Sequence, residues 1–295
     1  LKIGSFQINK IIDYINEPLV FAVLRPWIDV NNVGSMVLNE LERQFDAEEF
    51  GRLLKPGCFY DFTRYRPIIH IDEEGINDLR IPNTIFHVAK REDKEDLVLL
   101  RILEPHYNAE SFIDSILKLL KKIKAKRYIL IGSMYDTVPH TRPLIINGYG
   151  MGKDAKDDIN KVNALPIIYH GPSTMINLIT KKAAESGIDA SVFIVSIPQY
   201  VVIEEDYVAK VRLMEILNML YSIPINNEDI DNAQEQLNII NERVKNTPEI
   251  KVFLPQLEDI YDKRIKAVDK KHSTYLSQDM DELFWKTIDK DIGRA

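Results

Sequence analysis

The chain has 295 residues, 45% of them hydrophobic, enough to bury one large core and still carry an accessory region. Its 38 basic and 45 acidic residues leave a formal charge of -7, which opposes attraction to phosphate backbones and anionic lipid, so neither a nucleic-acid nor a membrane partner is expected. A single cysteine, Cys58, excludes an internal disulfide and, without a dense His cluster, the usual structural zinc patterns; no metal or cofactor is expected, and a reducing cytoplasm fits.

The opening stretch LKIGSFQINKIIDYINEPLV has polar and charged residues where a secretory apolar region would be continuous. The first buried-strand signal is LVFAVL, Leu19 to Leu24, a short uninterrupted apolar run suited to a strand covered on both faces. After the turn-like RPWIDVNN, the fourfold recurrence of Val33, Val37, Leu41 and Phe45 predicts a helix. CFYDF reads as a further strand, and TIFHVAKREDKEDLVLLRILEP as two strands joined by a charged turn.

Asn108 is placed to cap the next helix, whose apolar stripe is Phe112, Ile116, Leu119, Leu120 and Ile123. The strand RYILIGSM follows, then a capped helix in GPSTMINLITKKAAESG that stops at Gly187, then the buried strand ASVFIVSIP. Alternation of buried strands with amphipathic helices predicts an α/β sandwich around a mostly parallel sheet. From about Asp206 only helices are predicted. Ile230, Ala233, Leu237, Ile240 and Val244 recur at spacings of three and four, a narrow heptad-like seam. Thr247 and Pro248 mark the start of a partner helix carrying Ile250, Leu254, Leu257 and Tyr261. The expected organisation is an α/β core over 1–225, a helical hairpin as an accessory module over 226–270, and a polar tail or short docked helix over 271–295 that includes Met280, Phe284, Trp285 and Ile288.

In open parallel sheets, ligands gather beyond the carboxyl ends of the strands. Four loops here qualify: Trp27 and Asp29 after the first strand, Glu104 and His106 in LEPHYN, the stretch MYDTVPHTRP, and Gln199 and Tyr200. The expected rim therefore carries His106, His140 and Arg142. An imidazole moves protons near neutral pH and an Arg holds an anion bidentately, so an active site can be drawn from these groups. The competing reading is structural: Pro105, Pro139 and Pro143 fix the local backbone, while the His and Arg side chains satisfy turn carbonyls and amides.

Other constellations fail on spacing. GYGMGK, Gly148 to Lys153, has Lys153 where a dinucleotide fingerprint needs its last glycine and lacks the first glycine of a phosphate loop, so it is expected to be a flexible loop. Ser133 lacks a nucleophile elbow. Cys58 is expected to be a packed thiol. The hairpin has two readings. Its seam closes the helices on each other, or it presents an apolar face, with Ile230, Leu237, Ile240, Leu254 and Leu257, to another subunit or partner.

FYDFTRYRP, LLRILEPH, VPHTRP, GPSTMINLI and SIPQYV occur in the order expected of the proteasome assembly chaperone 2 family, which the chain resembles from about Leu19 to its C-terminal helices. The resemblance implies a three-layer α/β/α fold similar to nucleoside phosphorylases and some peptidases, with a C-terminal helical extension. It also implies a non-enzymatic chaperone or scaffold that self-associates, a trimer being the expected state, with a proteasome-like or other protein complex as partner. Glu104, His106, Pro139, His140, Thr141, Arg142, Gly171, Pro172 and Tyr200 then form a constrained motif cluster at the sheet edge. The terminal DKDIGRA lacks the hydrophobic-Tyr-x tail by which some archaeal relatives dock on proteasome rings, so docking by that route is not expected. The rival expectation is a small-molecule binder or hydrolase- or phosphorylase-like enzyme, with Arg142 gripping an anion and His140 or His106 moving protons.

Overall fold

Leu19, Phe21 and Val23 contribute to one hydrophobic core and Val20, Ala22 and Leu24 to a second, and all six are buried. A strand with no polar face must be covered on both sides, and burying each large aliphatic or aromatic side chain stabilises by about 1.5–3 kcal/mol. The computed structural model describes residues 1–9, 12, 14–73 and 75–269. In chain order the elements are β1 (Lys2–Ile3), β2 (Phe6–Ile8), β3 (Leu19–Arg25), α1 (Val33–Gln44), β4 (Glu48–Leu53), β5 (Ile68–Asp72), β6 (Gly75–Arg80), β7 (Ile85–Ala89) and β8 (Leu97–Leu103). They continue with α2 (Ala109–Lys122), β9 (Arg127–Asp136), β10 (Ile146–Met151), α3 (Lys153–Lys161), β11 (Leu165–Pro166), α4 (Ile176–Glu185), β12 (Asp189–Pro198), α5 (Tyr207–Tyr221), α6 (Asn227–Lys245) and α7 (Pro248–Asp269). The expected tail over 271–295 lies outside the described residues.

Ten strands form one sheet in the order β1-β2-β4-β7-β8-β3-β9-β12-β10-β11. Its centre, β8-β3-β9-β12, is parallel, as the buried apolar runs predict. The expectation of a mostly parallel sheet does not hold beyond that centre. The charged turn between β7 and β8 makes a hairpin, and β4, β2 and β1 continue antiparallel from it, while β10 joins β12 antiparallel. The sheet is mixed because hairpin connections are short, whereas parallel neighbours need a crossover.

Phe112, Ile116, Leu119 and Leu120 of α2 and Ile176, Ile179 and Ala183 of α4 share one core, and Val33, Val37 and Leu41 of α1 with Leu213, Met214 and Leu217 of α5 share the other. Ile240 and Val244 of α6 join the core lined by Leu19, Phe21 and Val23, so the heptad-like seam faces the chain's own α/β body as well as α7. CFYDF is not a strand: Pro56–Cys58 is a 3-10 turn, and Phe59 and Tyr60 bury their rings instead, with Tyr60 Oη 2.6 Å from Thr84 Oγ1. Cys58 itself is exposed rather than packed, because it lies on that turn ahead of the two anchoring rings.

The glycine-rich stretch expected to be a flexible loop is instead β10 running into α3. A Cβ at Gly150 would strike the Ala155 carbonyl, and one at Gly152, where φ is +101°, would strike the Asp189 carboxylate. Asp189 Oδ2 accepts the backbone N–H groups of Asp154 at 2.8 Å and Ala155 at 3.2 Å. The helix terminus that would cradle a phosphate is therefore capped from within the chain.

Candidate functional site

The parallel strands β8, β3 and β9 bring LEPHYN, RPWIDV and MYDTVPHTRP to the same end of the sheet, but β3 lies between the two histidine-bearing loops. His106 and His140 have separate partners. His106 Nδ1 accepts from Asp61 N at 3.1 Å, the His106 backbone N–H donates to Phe59 O at 2.8 Å, and its ring lies 4.5 Å from that of Tyr65. Glu104 Oε1 accepts from Met175 N at 3.1 Å, at the start of α4, which has no capping side chain of its own. The LEPH and GPSTMINLI motifs are thus one unit: the carboxylate of the first caps the helix of the second. Gly171 and Pro172 lie exposed ahead of that cap, and the Pro172 carbonyl accepts from Tyr169 Oη at 2.8 Å.

Of the other loop residues, Asp29 is buried and accepts from Ser35 N and Oγ, at 3.0 and 2.5 Å, so it anchors the first turn of α1. Ser133 donates to Val30 O at 2.6 Å. Trp27 is exposed.

His140, Pro139, Thr141, Arg142 and Tyr200 gather at the ends of β9 and β12 beneath the α6–α7 hairpin. Pro139 and His140 are both buried. The Tyr200 hydroxyl accepts the His140 backbone N–H at 2.8 Å and lies 2.7 Å from His140 Nδ1. A phenol that accepts one N–H and donates its own proton to Nδ1 leaves the imidazole proton on Nε2, which faces Asn241 Oδ1 at 3.2 Å. Burial holds His140 below the ordinary imidazole range, against the opposing effects of Asn241 and Glu258, and burial pushes the Tyr200 phenol up to about 12.

The next two side chains are tied to α7. Thr141 Oγ1 donates to Glu258 Oε1, Arg142 Nη1 donates to the same oxygen at 3.2 Å, and Arg142 Nε donates to Asp262 Oδ1 at 3.3 Å. The hydrogen bond to Asp262, with the Glu258 and Asp262 charges, raises the guanidinium above its ordinary value. Tyr261 Oη donates to Pro143 O at 2.9 Å, and its ring packs with Val138, Ile145 and Leu165 in a small core of its own. One turn further, Arg264 donates to Asp136 Oδ2 at 2.7 Å and to Asn147 Oδ1 at 2.8 Å. Ser196 Oγ donates to Asp136 Oδ2 at 2.6 Å and accepts from Asn147 Nδ2 at 2.6 Å, closing a four-residue ring across β9, β10, β12 and α7.

Asn241, Asp136, Asn147, Ser196, Glu258, Asp262 and Arg264 are absent from the sequence-based cluster. The signal available for two of them was weak: Glu258 and Asp262 stand three residues before and one after Tyr261, four apart on the helical pattern of α7. Among the five hairpin residues expected to meet a partner, Ile240 and Leu257 are buried, Leu237 and Leu254 half-buried, and Ile230 exposed.

Between the loop and α6 lies a cavity of about 500 Å³, lined by His140, Arg142, Leu144, Val201, Leu237 and Asn241 among others. No group of three or more His, Cys, Asp or Glu side chains is arranged to hold a metal ion among the described residues. Among these residues, too, no helix is long and apolar enough to cross a membrane.

Fold and site together define a mixed-sheet α/β protein whose strand-end rim is roofed by its own C-terminal hairpin. Residues 23–244 match the PAC2 family, and the chain belongs to that family, the proteasome assembly chaperone 2 family that its motifs resemble. No curated protein matches it by sequence. Solved structures similar to it include a proteasome-assembly chaperone homologue of Mycobacterium tuberculosis, 19% identical, TM-score 0.72, over 80% of this chain and 99% of that one. A PAC2 family protein of Streptomyces avermitilis is 22% identical with a TM-score of 0.71, over 81% and 99% of the two chains. An archaeal proteasome activator of Pyrococcus furiosus is 14% identical with a TM-score of 0.60, over 82% and 99%. At these identities the likeness is one of fold.

Proposed function

We propose that this chain is a non-enzymatic protein-binding scaffold or assembly chaperone that works as a homo-oligomer in the cytoplasm, with a trimer as the state its family resemblance favours. The observation that carries this reading is the tie between Arg142 and α7. A guanidinium that is to grip a substrate anion must offer its donors to solvent, and here both Nε and Nη1 are engaged by carboxylates of the chain's own helix. His140 is likewise held between Tyr200 and Asn241. The similar structures described as a proteasome-assembly chaperone homologue and a proteasome activator support a protein complex as the partner. In this reading 1–225 is the α/β core, and 226–270 is the module that meets the partner through its outer side, where Ile230, Ile239 and Val252 are exposed.

Native mass spectrometry of the tagged chain purified from its own cells tests the proposal. The expected result is a homo-oligomer carrying a defined second protein in stoichiometric amount. A strict monomer without an associated protein contradicts it.

One observation favours a second reading. The cavity beside His140 is mostly apolar with a few polar groups, the character of a small-molecule site, and a hydrolase- or phosphorylase-like binder would use it. Melting curves with nucleosides, phosphate, nucleotides and peptides distinguish the two readings, since a ligand that binds only the folded chain raises the melting point.

A further inference from the structure

β5 and β6 form a two-stranded ribbon outside the main sheet. A two-stranded hairpin is marginal in water unless one face is covered. The pairing sets Ile69 opposite Leu79, with Ile71 two residues along the same side, and sets Ile68 opposite Arg80 and His70 opposite Asp78 on the reverse. Polar groups dominate the reverse face, where Arg80 Nε donates to Asp78 Oδ2 at 2.6 Å. The first face carries only aliphatic side chains at these positions, and they are open to solvent: Ile69 is 45%, Leu79 53% and Ile71 63% exposed, and Ile81 just beyond is 48% exposed.

We infer that this face is where copies of the chain meet, the apolar faces of the ribbons converging on the symmetry axis. The inference rests on the homo-oligomer reading above and adds the surface that makes it. Area supports a second copy as the occupant. The four side chains expose on the order of 400 Å² of aliphatic surface, within the range of the largest patch on a monomer. Three such faces gathered at the axis bring together roughly 1,200 Å² of aliphatic surface, to which the polar rim that accompanies an interface core adds, the scale of a specific interface. A polar partner surface would leave half of that core unmatched, whereas the chain supplies its own complement. Charge agrees. Copies with a net charge of -7 repel at most of their surface, but the described positions Ile69, Ile71, Leu79 and Ile81 of this face carry no charge, and the Arg80–Asp78 pair lies on the reverse.

Sedimentation of the full chain and of an Ile69→Glu, Ile71→Glu variant tests the inference, with far-UV circular dichroism to confirm that the variant is folded. The expected result is an oligomer for the unmodified chain and a monomer for the variant, its association weakened at least 100-fold. As a second measurement, Ile69→Cys in a Cys58→Ser background should cross-link chain to chain on oxidation, a readout that survives even where the Glu variant misfolds. An oligomer that persists in the folded variant, together with no cross-link, overturns the ribbon contact and leaves self-association standing. A monomeric unmodified chain overturns both.

Discussion

The Tyr200 hydroxyl serves His140 twice, accepting its backbone N–H at 2.8 Å and lying 2.7 Å from its ring Nδ1. A single phenol from the end of β12 thus fixes both the backbone and the tautomer of the loop that follows β9. Tyr200→Phe removes both interactions and leaves a partly buried amide and a ring nitrogen without partners. It should destabilise the chain by about 1–3 kcal/mol, measured by chemical denaturation, because an unsatisfied buried polar group keeps its desolvation penalty.

The same burial sets a pH dependence. His140 and His87 both titrate below the ordinary imidazole value in the folded chain, burial being the leading cause in each. A depressed folded value means that the unfolded chain binds protons first. Stability is therefore full above about pH 7 and falls as pH drops below the unfolded imidazole value of about 6.5. Denaturation midpoints between pH 7.5 and 5.5 should show this fall, and it should be shallower in His140→Asn. A midpoint that rises on acidification in this range contradicts the assignment.

Arg264 ties α7 to the sheet by hydrogen bonds to Asp136 and Asn147. Arg264→Met keeps its aliphatic bulk and leaves Asp136 and Asn147 short of donors, with an expected loss of about 1–3 kcal/mol. Arg264 and Asp136 should also be coupled in a double-mutant cycle, by more than the ~0.5 kcal/mol that separates additive from interacting sites. Additivity within that limit would show that the ring across β9, β10, β12 and α7 carries no energy.

The central parallel strands were legible because each is a largely apolar run, and the helices other than α3 because their stripes follow a 3.6-residue period. The edges were not. β1, β2, β4 and β11 are short or polar and exist through pairing with distant strands rather than through local pattern. GYGMGK hides a strand because its glycines are there for close approach to Ala155 and Asp189, which a motif search reads as flexibility. CFYDF misled in the opposite direction, since aromatic residues that bury singly resemble a strand. VPHTRP was recognisable as a constrained loop and Tyr200 as part of its cluster, but the rest of what constrains it is more than 100 residues away in sequence, in Asn241, Glu258 and Asp262.

The close approach at Gly152 is itself testable. Gly152→Ala adds a Cβ at positive φ against the carboxylate that caps α3, and should cost roughly 2 kcal/mol or more, whereas Asp189→Ala, which only removes the cap, should cost about 1 kcal/mol. Equal costs would mean that the collision is relieved by a small shift of Asp189.

The most direct measurement of the account as a whole is the melting temperature of the chain, and of Arg142→Ala, across a panel of phosphate, nucleosides, nucleotides and short peptides. If the rim is filled by the chain's own α7, none of these raises the melting point of the unmodified chain by more than about 1 °C, since an unbound ligand contributes no linkage term. A clear rise with one of them, lost in Arg142→Ala, would show that Arg142 reaches a substrate in spite of Glu258 and Asp262, and would contradict the scaffold reading.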